Sequence, residues 1–482
     1  MPIASYKFDK TNKVLFIIHD LYQEDNQFPL GPAYLAAILK NNGAEVEAYC
    51  MDVFHYTNDQ LAKHLQENEY DIIGLGFLAA RFSETVVDLS KVVNENKKGA
   101  WFVLGGHGPS PIPEYCLRET GADVVAIGEA ENTIVDLLKC KVTGGNLGQV
   151  DGIAYLENGL FKKTGPNKWV TNLDEIPLPL WEIFPMDKYT SCLKLFNQES
   201  DKKTFSIITS RGCVNRCNFC YRMEKGIRMR SIENIIEEMK ILFSAYDVSS
   251  YFFMDELFVV NKKRLLDFEK ALTEANLKIK YSCNARVDIM DKEIVQILKR
   301  TGCVFINFGF ESSNDQVLKL MNKNATADEN IKALEIVKEI GGIGMGLNFI
   351  WNNLGDDEAT LKKNAELIKK YNTYYQCRTI RPVTPYPGSD LYYTLIAMKK
   401  LKGPGDFFDK FKNSDLIFMN LMGISDKRAY ELLLEVNTDL ILDHYQHTGG
   451  DMEDAQYIIE QFSDLYSGKI LKFRGARHYV KK

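Results

Sequence analysis

Three cysteines lie within eight residues of one another, in the stretch RGCVNRCNFCYR. Cys213, Cys217 and Cys220 are separated by three and then two residues, so one loop can bring their thiolates to a single metal centre. A structural zinc site would need a fourth ligand, yet no Cys or His follows Cys220 before Ser231. A chance group of core cysteines fits poorly because Arg and Asn residues are interleaved with them. An iron–sulfur cluster usually takes four cysteines, so three would leave one iron open.

The composition is that of a folded, globular protein. The chain has 482 residues, 45% of them hydrophobic and 26% charged, which suggests about two or three domains. Its net charge of −6 argues against a nucleic-acid surface. No apolar run reaches the length of a signal-peptide core or a membrane span, so we expect a soluble, cytoplasmic protein. In that reducing compartment the remaining seven cysteines are expected to be buried thiols.

Residues 1–145 alternate short apolar runs with helical patterns. The runs KVLFIIHD, AEVEAYCMD, DIIGLGFLA, WFVLGG and ADVVAIGEAE each predict a strand. This alternation is typical of an α/β fold with a doubly wound, Rossmann-like parallel sheet, whose ligands bind beyond the carboxyl ends of the strands. Glycines stand at three of those ends, in GLG, GGHG and GEAE.

A second alternation begins near residue 201, after a connecting segment over residues 146–200 that is rich in glycine and proline. That segment contains one predicted hairpin, IAYLENGLFKK, which turns at Asn158-Gly159. Six strand–helix units over residues 201–395 predict a partial (β/α)6 TIM-type barrel, with its chemistry at the carboxyl ends of the strands. The three cysteines follow the first of these strands. Residues 396–482 are predicted to form a small, mainly helical C-terminal cap. The six strands are expected to open near Phe205, Tyr251, Lys278, Cys303, Gly344 and Gln376.

The chain resembles the radical S-adenosylmethionine superfamily, whose CxxxCxxC motif follows a first barrel strand and has an aromatic residue, here Phe219, before the last cysteine. The resemblance implies a [4Fe–4S] cluster on the three cysteines, with S-adenosylmethionine chelating the open iron. In FFMDELF, Asp255 or Glu256 would accept hydrogen bonds from the ammonium group of S-adenosylmethionine.

Further contacts with S-adenosylmethionine are implied by stretches that resemble the cobalamin-binding branch of this superfamily. They contain Arg286 (CNARVDIM), Glu311 (INFGFESSNDQVLKLMNK) and Asn348 (NFIWNN). For Arg286 and Glu311 the alternative is a structural ion pair inside the barrel. Where relatives have a GLPGET-like turn, this chain has NFIWNNLGDDEAT, which we expect to form a larger and more polar site for substrate specificity or for an altered adenosine contact.

The N-terminal region resembles the cobalamin-binding domain of magnesium-protoporphyrin cyclases and class B methyltransferases. The resemblance rests on PLGPAYLAAILKNNGAEVEAYCMD, GLGFLAARFSETV, LGGHGPSPIPE and ADVVAIGEAENTIVDLL. A nicotinamide-binding domain is the rival interpretation, but no GxGxxG follows the first strand; a cofactor-free descendant is a further alternative. The implied cobalamin contacts are Leu30, Gly31, Phe77, Leu78, Gly105, Gly106, His107, Gly128 and Glu129.

The DxHxxG motif that supplies an axial histidine in cobalamin domains of the methionine-synthase type is absent. His19 and Asp20 stand in a different arrangement, in IHDLYQE, and His107 is the other candidate nearby. We expect no histidine ligand below the cobalt, and we interpret His107 as a polar loop residue at the edge of the cofactor.

The resemblance implies a cobalamin-dependent radical enzyme that methylates an unactivated carbon, through a 5'-deoxyadenosyl radical and methylcobalamin. A radical cyclisation, rearrangement or ring contraction without methyl transfer is the alternative reaction. A cobalamin-sensing regulator is the competing class outside enzymology, but it has no need of three cluster cysteines at a barrel mouth. The expected partners are a small-molecule or peptide substrate and an electron donor such as flavodoxin or ferredoxin.

Overall fold

The first of the two main sheets has seven strands in the computed structural model, which describes residues 2–20, 26–196 and 203–473. The strands are β1 (Lys13–Ile18), β2 (Glu45–Cys50), β3 (Ile72–Gly76), β4 (Trp101–Gly105), β5 (Val124–Ala126), β6 (Ile153–Glu157) and β7 (Leu160–Lys163). Their order is β2-β1-β3-β4-β5-β6-β7, and the first five are parallel. The five predicted strands and the doubly wound arrangement are therefore confirmed.

The hairpin β6–β7 pairs antiparallel with β5, so it extends the first sheet. Both turn residues, Asn158 and Gly159, have positive φ (50° and 79°), which suits a tight two-residue hairpin. Part of the predicted connecting segment thus belongs structurally to the N-terminal module.

Helices cover both faces of this sheet. They are α1 (Leu30–Asn41), α2 (Met51–Phe54), α3 (Asn58–Glu67), α4 (Val87–Asn96), α5 (Pro113–Thr120) and α6 (Glu131–Thr143); α7 (Met186–Cys192) follows the sheet. The helix α1 ends before Gly43, as predicted, where φ is 93° and an added Cβ would lie 2.7 Å from the Phe8 carbonyl oxygen.

The second sheet has six parallel strands in the order β15-β14-β13-β12-β11-β8. Its strands are β8 (Lys203–Ile207), β11 (Val248–Phe253), β12 (Lys280–Ala285), β13 (Cys303–Glu311), β14 (Gly344–Trp351) and β15 (Arg381–Pro382). The partial barrel is confirmed, although its last strand has only two residues. Its helices are α8 (Ile232–Tyr246), α9 (Lys262–Glu274), α10 (Lys292–Arg300), α11 (Asp315–Leu320), α12 (Ala327–Ile340) and α13 (Glu358–Tyr371).

Ser231 shows how the sequence specifies one of these helices. Its hydroxyl accepts a hydrogen bond from the Asn234 amide (3.1 Å) and caps α8, as predicted. The buried side chains of α8, among them Ile235, Met239 and Leu242, recur at helical spacing and pack into the core of the barrel.

A short antiparallel hairpin, β9 (Ser210–Cys213) and β10 (Gly226–Met229), stands beside the barrel and was not predicted. Cys213 is the last residue of β9. Gly212 has φ 87°, and an added Cβ would lie 2.4 Å from the Gly226 carbonyl oxygen, so the close approach of the two strands requires glycine here.

The C-terminal segment is helical, as predicted, with α14 (Asp390–Ala397), α15 (Pro404–Lys410), α16 (Asp426–Thr448) and α17 (Met452–Tyr466). It packs on both modules: α16 contacts α13 of the barrel, whereas the ring of Phe408 stacks on Phe82 and Tyr115 of the N-terminal module. None of the described helices is long and apolar enough to cross a membrane.

Candidate functional site

The loop between β9 and β10 carries Cys217 and Cys220, begins directly after Cys213 and is fastened to the barrel. The Asn218 amide donates to the Met321 carbonyl (2.8 Å), and its side-chain nitrogen donates to the Leu320 carbonyl (2.9 Å). Asn322 donates to the Arg216 carbonyl (2.7 Å). The end of α11 and the residues after it therefore hold the loop from outside.

The three thiols are close enough to interact electrostatically. Partial burial raises the pKa of the Cys217 thiol, while the nearby ammonium of Lys323 favours its thiolate. Over the described part of the chain, no three His, Cys, Asp or Glu side chains converge tightly enough to hold a single metal ion. A [4Fe–4S] cluster binds each cysteine through a different iron, so its ligands stand farther apart than those of one ion. Three cysteine ligands suit a cluster that leaves one iron open, whereas a structural zinc site needs a fourth ligand.

Asp255 anchors the base of the cysteine-bearing hairpin. Its carboxylate accepts hydrogen bonds from the amides of Thr209 (2.6 Å) and Ser210 (3.1 Å) and from the Thr209 hydroxyl. Burial raises its pKa to about 6. The neighbouring Glu256 accepts a hydrogen bond from the Gly212 amide (2.6 Å) and lines a cavity described below. Of the two predicted partners of the ammonium group, Glu256 is the one that faces open space.

Arg286 and Glu311 both form ion pairs, the structural alternative considered for them. The Arg286 guanidinium binds the Asp288 carboxylate (2.9 Å) and the Asn324 carbonyl (2.9 Å). Glu311 and Lys323 form a buried pair at 2.9 Å. Glu311 also has φ 64°, a strained value for a residue with a side chain, and such strain is frequent at functional sites.

Asn348 belongs to a row of amides across the barrel that the sequence analysis missed. Asn284 donates to the Asp255 carbonyl (2.7 Å), Asn307 to Asn284 (3.1 Å) and Asn348 to Asn307 (2.9 Å). Arg378 donates to Asn348 (3.1 Å) and closes the row. An asparagine in each of three successive barrel strands is a signal that could have revealed this row.

The residues after Asn348 do not form the enlarged polar site that we expected. Trp351, Asn352 and Asn353 are at most 2% exposed. The Asn352 amide group bonds the backbone of Met419 and Leu421 (2.6 and 2.9 Å), so it ties the barrel to the C-terminal segment. Their burial makes these side chains packing residues.

A cavity of about 390 Å³ lies between the carboxyl edge of the first sheet and the β9–β10 hairpin. Predicted cobalamin contacts that line it are Gly31, Gly105, Gly106, His107, Gly128 and Glu129. The opposite wall includes Ser210, Arg211, Glu224, Met254 and Glu256. Both modules therefore contribute to one site, at the place where a doubly wound sheet binds ligands.

Three predicted cobalamin contacts lie elsewhere. Leu30 and Phe77 are buried in hydrophobic cores, and Leu78 is 63% exposed; none of them lines the cavity. Phe77 instead packs beneath the GGHG loop, since an added Cβ on Gly108 would lie 2.5 Å from its ring. Phe219 is partly buried in the cysteine loop.

His107 and the glycines at the ends of β3 and β4 determine the shape and polarity of the cavity. Burial lowers the pKa of His107, so its imidazole is neutral near pH 7, and its ring stands edge-on to Tyr221 at 6.2 Å. An added Cβ on Gly74 would approach the Phe16 ring to 2.9 Å. The glycines leave room for a flat, bulky ligand, and His107 offers a polar contact to groups at its edge.

Two family models match the chain. One, described as the Radical SAM superfamily, matches residues 207–368, and the other, described as the B12 binding domain, matches residues 24–138. An uncharacterised methyltransferase of Pyrococcus horikoshii is 30% identical over 378 residues, which cover 77% of this chain and 78% of that protein. The chain belongs to the radical SAM superfamily, in the branch with a B12-binding domain.

Other members of this branch extend the comparison. An anaerobic magnesium-protoporphyrin IX monomethyl ester cyclase of Rubrivivax gelatinosus is 26% identical over 80% of this chain and 70% of its own length. The solved structure of the cobalamin-dependent S-adenosylmethionine radical enzyme OxsB superposes with a TM-score of 0.64 at 22% identity, over 81% of this chain. The chain spans 56% of the length of OxsB, and at this identity the likeness shows the fold.

Membership assigns the cofactors: the radical SAM domain takes a [4Fe–4S] cluster and S-adenosylmethionine, and the B12-binding domain takes cobalamin. The residues fit this assignment. Three cysteines share one loop beside the barrel, and the cavity meets the glycine-bearing edge of the first sheet. The family assignment excludes the nicotinamide-binding alternative.

Proposed function

We propose that this radical SAM enzyme methylates an unactivated carbon of a small-molecule or peptide substrate. The observation that carries the proposal is the shared cavity, whose walls come from the B12-binding module and from the cysteine-bearing hairpin. When bound, the cluster with S-adenosylmethionine would supply a radical that abstracts hydrogen, and cobalamin would carry the methyl group. The methyltransferase from Pyrococcus horikoshii supports this reaction class.

The chain's own residues would hold these groups in place. We assign the S-adenosylmethionine ammonium to Glu256, whose carboxylate faces the cavity while Asp255 fixes the hairpin below it. Asn348 and the rest of the amide row offer donors and acceptors to polar groups in the barrel. Phe219, Arg286 and Glu311 would shape the S-adenosylmethionine site, the last two through their ion pairs.

Cyclisation or rearrangement without methyl transfer is the second candidate, favoured by the similarity to the magnesium-protoporphyrin cyclase. The two reactions differ in how they use S-adenosylmethionine. Methylation consumes one molecule as methyl donor, which leaves S-adenosylhomocysteine, and a second as radical source, which leaves methionine and 5'-deoxyadenosine. Cyclisation forms only the second pair of products.

The deciding experiment uses the reconstituted holoenzyme, the substrate and S-adenosylmethionine with a trideuterated methyl group. We expect both nucleoside products and a substrate that gains the labelled methyl once the cobalamin pool is labelled. If 5'-deoxyadenosine formed without stoichiometric S-adenosylhomocysteine and without label in the product, the reaction would be a cyclisation or rearrangement.

Two further assignments go with this proposal. Reduction of the cluster needs an external electron donor, and we propose a flavodoxin or ferredoxin. We also place the enzyme in the cytoplasm, where thiols and reduced clusters persist.

A further inference from the structure

Four charged side chains connect the two walls of the cavity. Glu129 and Glu131 follow β5, whereas Arg211 lies in β9 and Arg228 in β10. Arg211 contacts Glu131 at 2.5 Å and Glu129 at 3.2 Å, and Arg228 contacts the other oxygen of Glu129. Their side chains are only 6–17% exposed. Charge-assisted hydrogen bonds in such a setting are strong and directional.

The register of the hairpin explains why a carboxylate lies between the two arginines. Arg211 and Arg228 are directly opposite each other in the antiparallel pair β9–β10. Like charges at opposed positions destabilise a hairpin. Glu129 offsets this repulsion because each of its carboxylate oxygens binds one of the two arginines. The same contacts attach the hairpin to the N-terminal module.

Aromatic rings of the N-terminal side reinforce the contact. The Arg211 guanidinium lies over the Tyr34 ring (5.3 Å), and the Arg228 guanidinium lies over the Trp169 ring (5.4 Å). Each arginine is thus oriented by a carboxylate and by an aromatic face.

One atom of this network is available to a ligand. Glu131 is 5% exposed and lines the cavity, and its Oε2 is buried without a hydrogen-bond donor in the residues that the structure describes. A buried carboxylate oxygen without a donor is costly, and a donor from a ligand would relieve that cost. The corrin ring of cobalamin bears primary amides at its periphery, which are suitable donors.

We propose that this ionic network couples cobalamin binding to the placement of the cluster hairpin. Glu131 accepts a hydrogen bond from a peripheral amide of cobalamin, and Arg211, two residues before Cys213, transmits the contact to the cluster loop. These four are positioning residues. The inference rests on the assigned cofactors and holds whether the reaction is methylation or cyclisation.

Hydrogen exchange on the full chain, with and without hydroxocobalamin, tests the proposal. We expect cobalamin to slow amide exchange at least fivefold in residues 210–213 and 226–229. In Glu131→Gln, which keeps the size of the side chain, hydroxocobalamin should bind about tenfold more weakly. At saturating cobalamin, Arg211→Met should lose the protection of the hairpin while the amides of β4 remain protected.

The matched control is Arg118→Met, which removes an exposed Arg–Glu pair (Arg118–Glu114, 2.8 Å) on the same module and should behave as wild type. If hydroxocobalamin failed to bind the wild-type chain, or bound without slowing exchange in the hairpin, the coupling would be refuted. The coupling would also be refuted if Glu131→Gln bound hydroxocobalamin as tightly as wild type and Arg211→Met kept the protection of the hairpin amides.

A distance measurement covers the case in which Arg211→Met folds poorly. Arg228→Lys keeps the charge but cannot reproduce the two contacts of the guanidinium, with Glu129 and with the Val170 carbonyl. In the holoenzyme, the magnetic coupling between cob(II)alamin and the reduced cluster should show one narrow distance in wild type and a broader one in Arg228→Lys. If wild type and Arg228→Lys gave identical distributions of this distance, a positioning role for Arg228 would be contradicted. A residue that only contributes to stability would leave the distance unchanged.

Discussion

Asp255 accepts hydrogen bonds from the backbone amides of Thr209 and Ser210, so a residue two positions after the second barrel strand, β11, fixes the chain just before the cluster cysteines. An acidic residue at this position suggests a ligand contact, yet both of its oxygens are engaged within the protein. Glu256 beside it keeps one face toward the cavity. The two adjacent carboxylates therefore have different roles: Asp255 holds the hairpin, and Glu256 faces the cavity.

Asp255→Ala is expected to destabilise the hairpin and to lower the iron content of the reconstituted protein. Loss of hydrogen bonds to a buried carboxylate, with the donors left unpaired, costs about 3 kcal/mol. Thermal unfolding and iron analysis measure the two effects. Glu256→Gln is the control: it should retain iron but bind S-adenosylmethionine more weakly. Wild-type iron content in Asp255→Ala would contradict the anchoring role.

Cys217→Ala should abolish cluster assembly, because the three thiolates of one loop supply all of the protein's ligands. Anaerobically reconstituted wild type should contain roughly four irons per chain and absorb broadly in the visible range. Cys283→Ala, which removes a buried thiol of the barrel, serves as the control and should keep its iron. A variant lacking all three loop cysteines that still held full iron and sulfide would disprove the assignment.

Bound cob(II)alamin should show no strong coupling to a nitrogen below the cobalt. No DxHxxG motif is present, and we place His107 at the edge of the cavity. Paramagnetic resonance of the wild type and of His107→Ala should therefore give the same cobalt spectrum. A threefold nitrogen splitting that disappears in His107→Ala would identify that imidazole as a ligand.

Glu224 should make stability depend on pH. Burial, and then the charge of Glu129, raise its pKa from the ordinary 4.5 to about 7. The folded state therefore favours the protonated carboxyl, and this contribution is complete below pH 4.5 and is lost as the pH rises through 7. Relative to wild type, Glu224→Gln should gain thermal stability between pH 5.5 and pH 8. Asp356, whose pKa is also raised to about 7, is present in both proteins and cancels in the difference. A difference that does not change with pH would show that Glu224 titrates normally.

Gly108→Ala should destabilise the GGHG loop by about 1–3 kcal/mol, because the new methyl group would lie 2.5 Å from the Phe77 ring. Gly99→Ala is a suitable comparison, since nothing lies within 4 Å of an added Cβ there. Unfolding midpoints and hydroxocobalamin affinity would measure the effect. Equal behaviour of the two variants would mean that Phe77 can move away without cost.

The sequence predicts those features that depend on residues close to one another in the chain. Apolar runs located the strands of both sheets, and the Ser231 cap and the Asn158-Gly159 turn were correct because each depends on neighbouring residues. The hairpin β9–β10 was missed, since RGC and GIRM have neither a long apolar run nor a regular alternation.

Contacts between distant segments could not be predicted in the same way. Asp255 finds its partners 45 and 46 residues earlier in the chain, and Arg211 meets Glu129 and Glu131 across 82 and 80 residues. The sequence marks these charged residues as candidates for a functional site. It does not show whether a given carboxylate binds a ligand or a guanidinium of the protein. Asn352 illustrates the same limit, because its amide group bonds Met419 and Leu421 of the C-terminal segment, 67 and 69 residues later in the chain.

The stacking of Phe408 on Phe82 and Tyr115 has a consequence for the order in which the protein matures during translation. The N-terminal module ends with β7 and leaves the ribosome about 240 residues before α15, the helix that completes one of its two cores. Until α15 emerges, that apolar surface has no native cover, and nascent chains that pause in the barrel region are exposed to aggregation. Truncations before residue 404 should therefore depend on chaperones for solubility even though both cofactor-binding modules are complete in sequence.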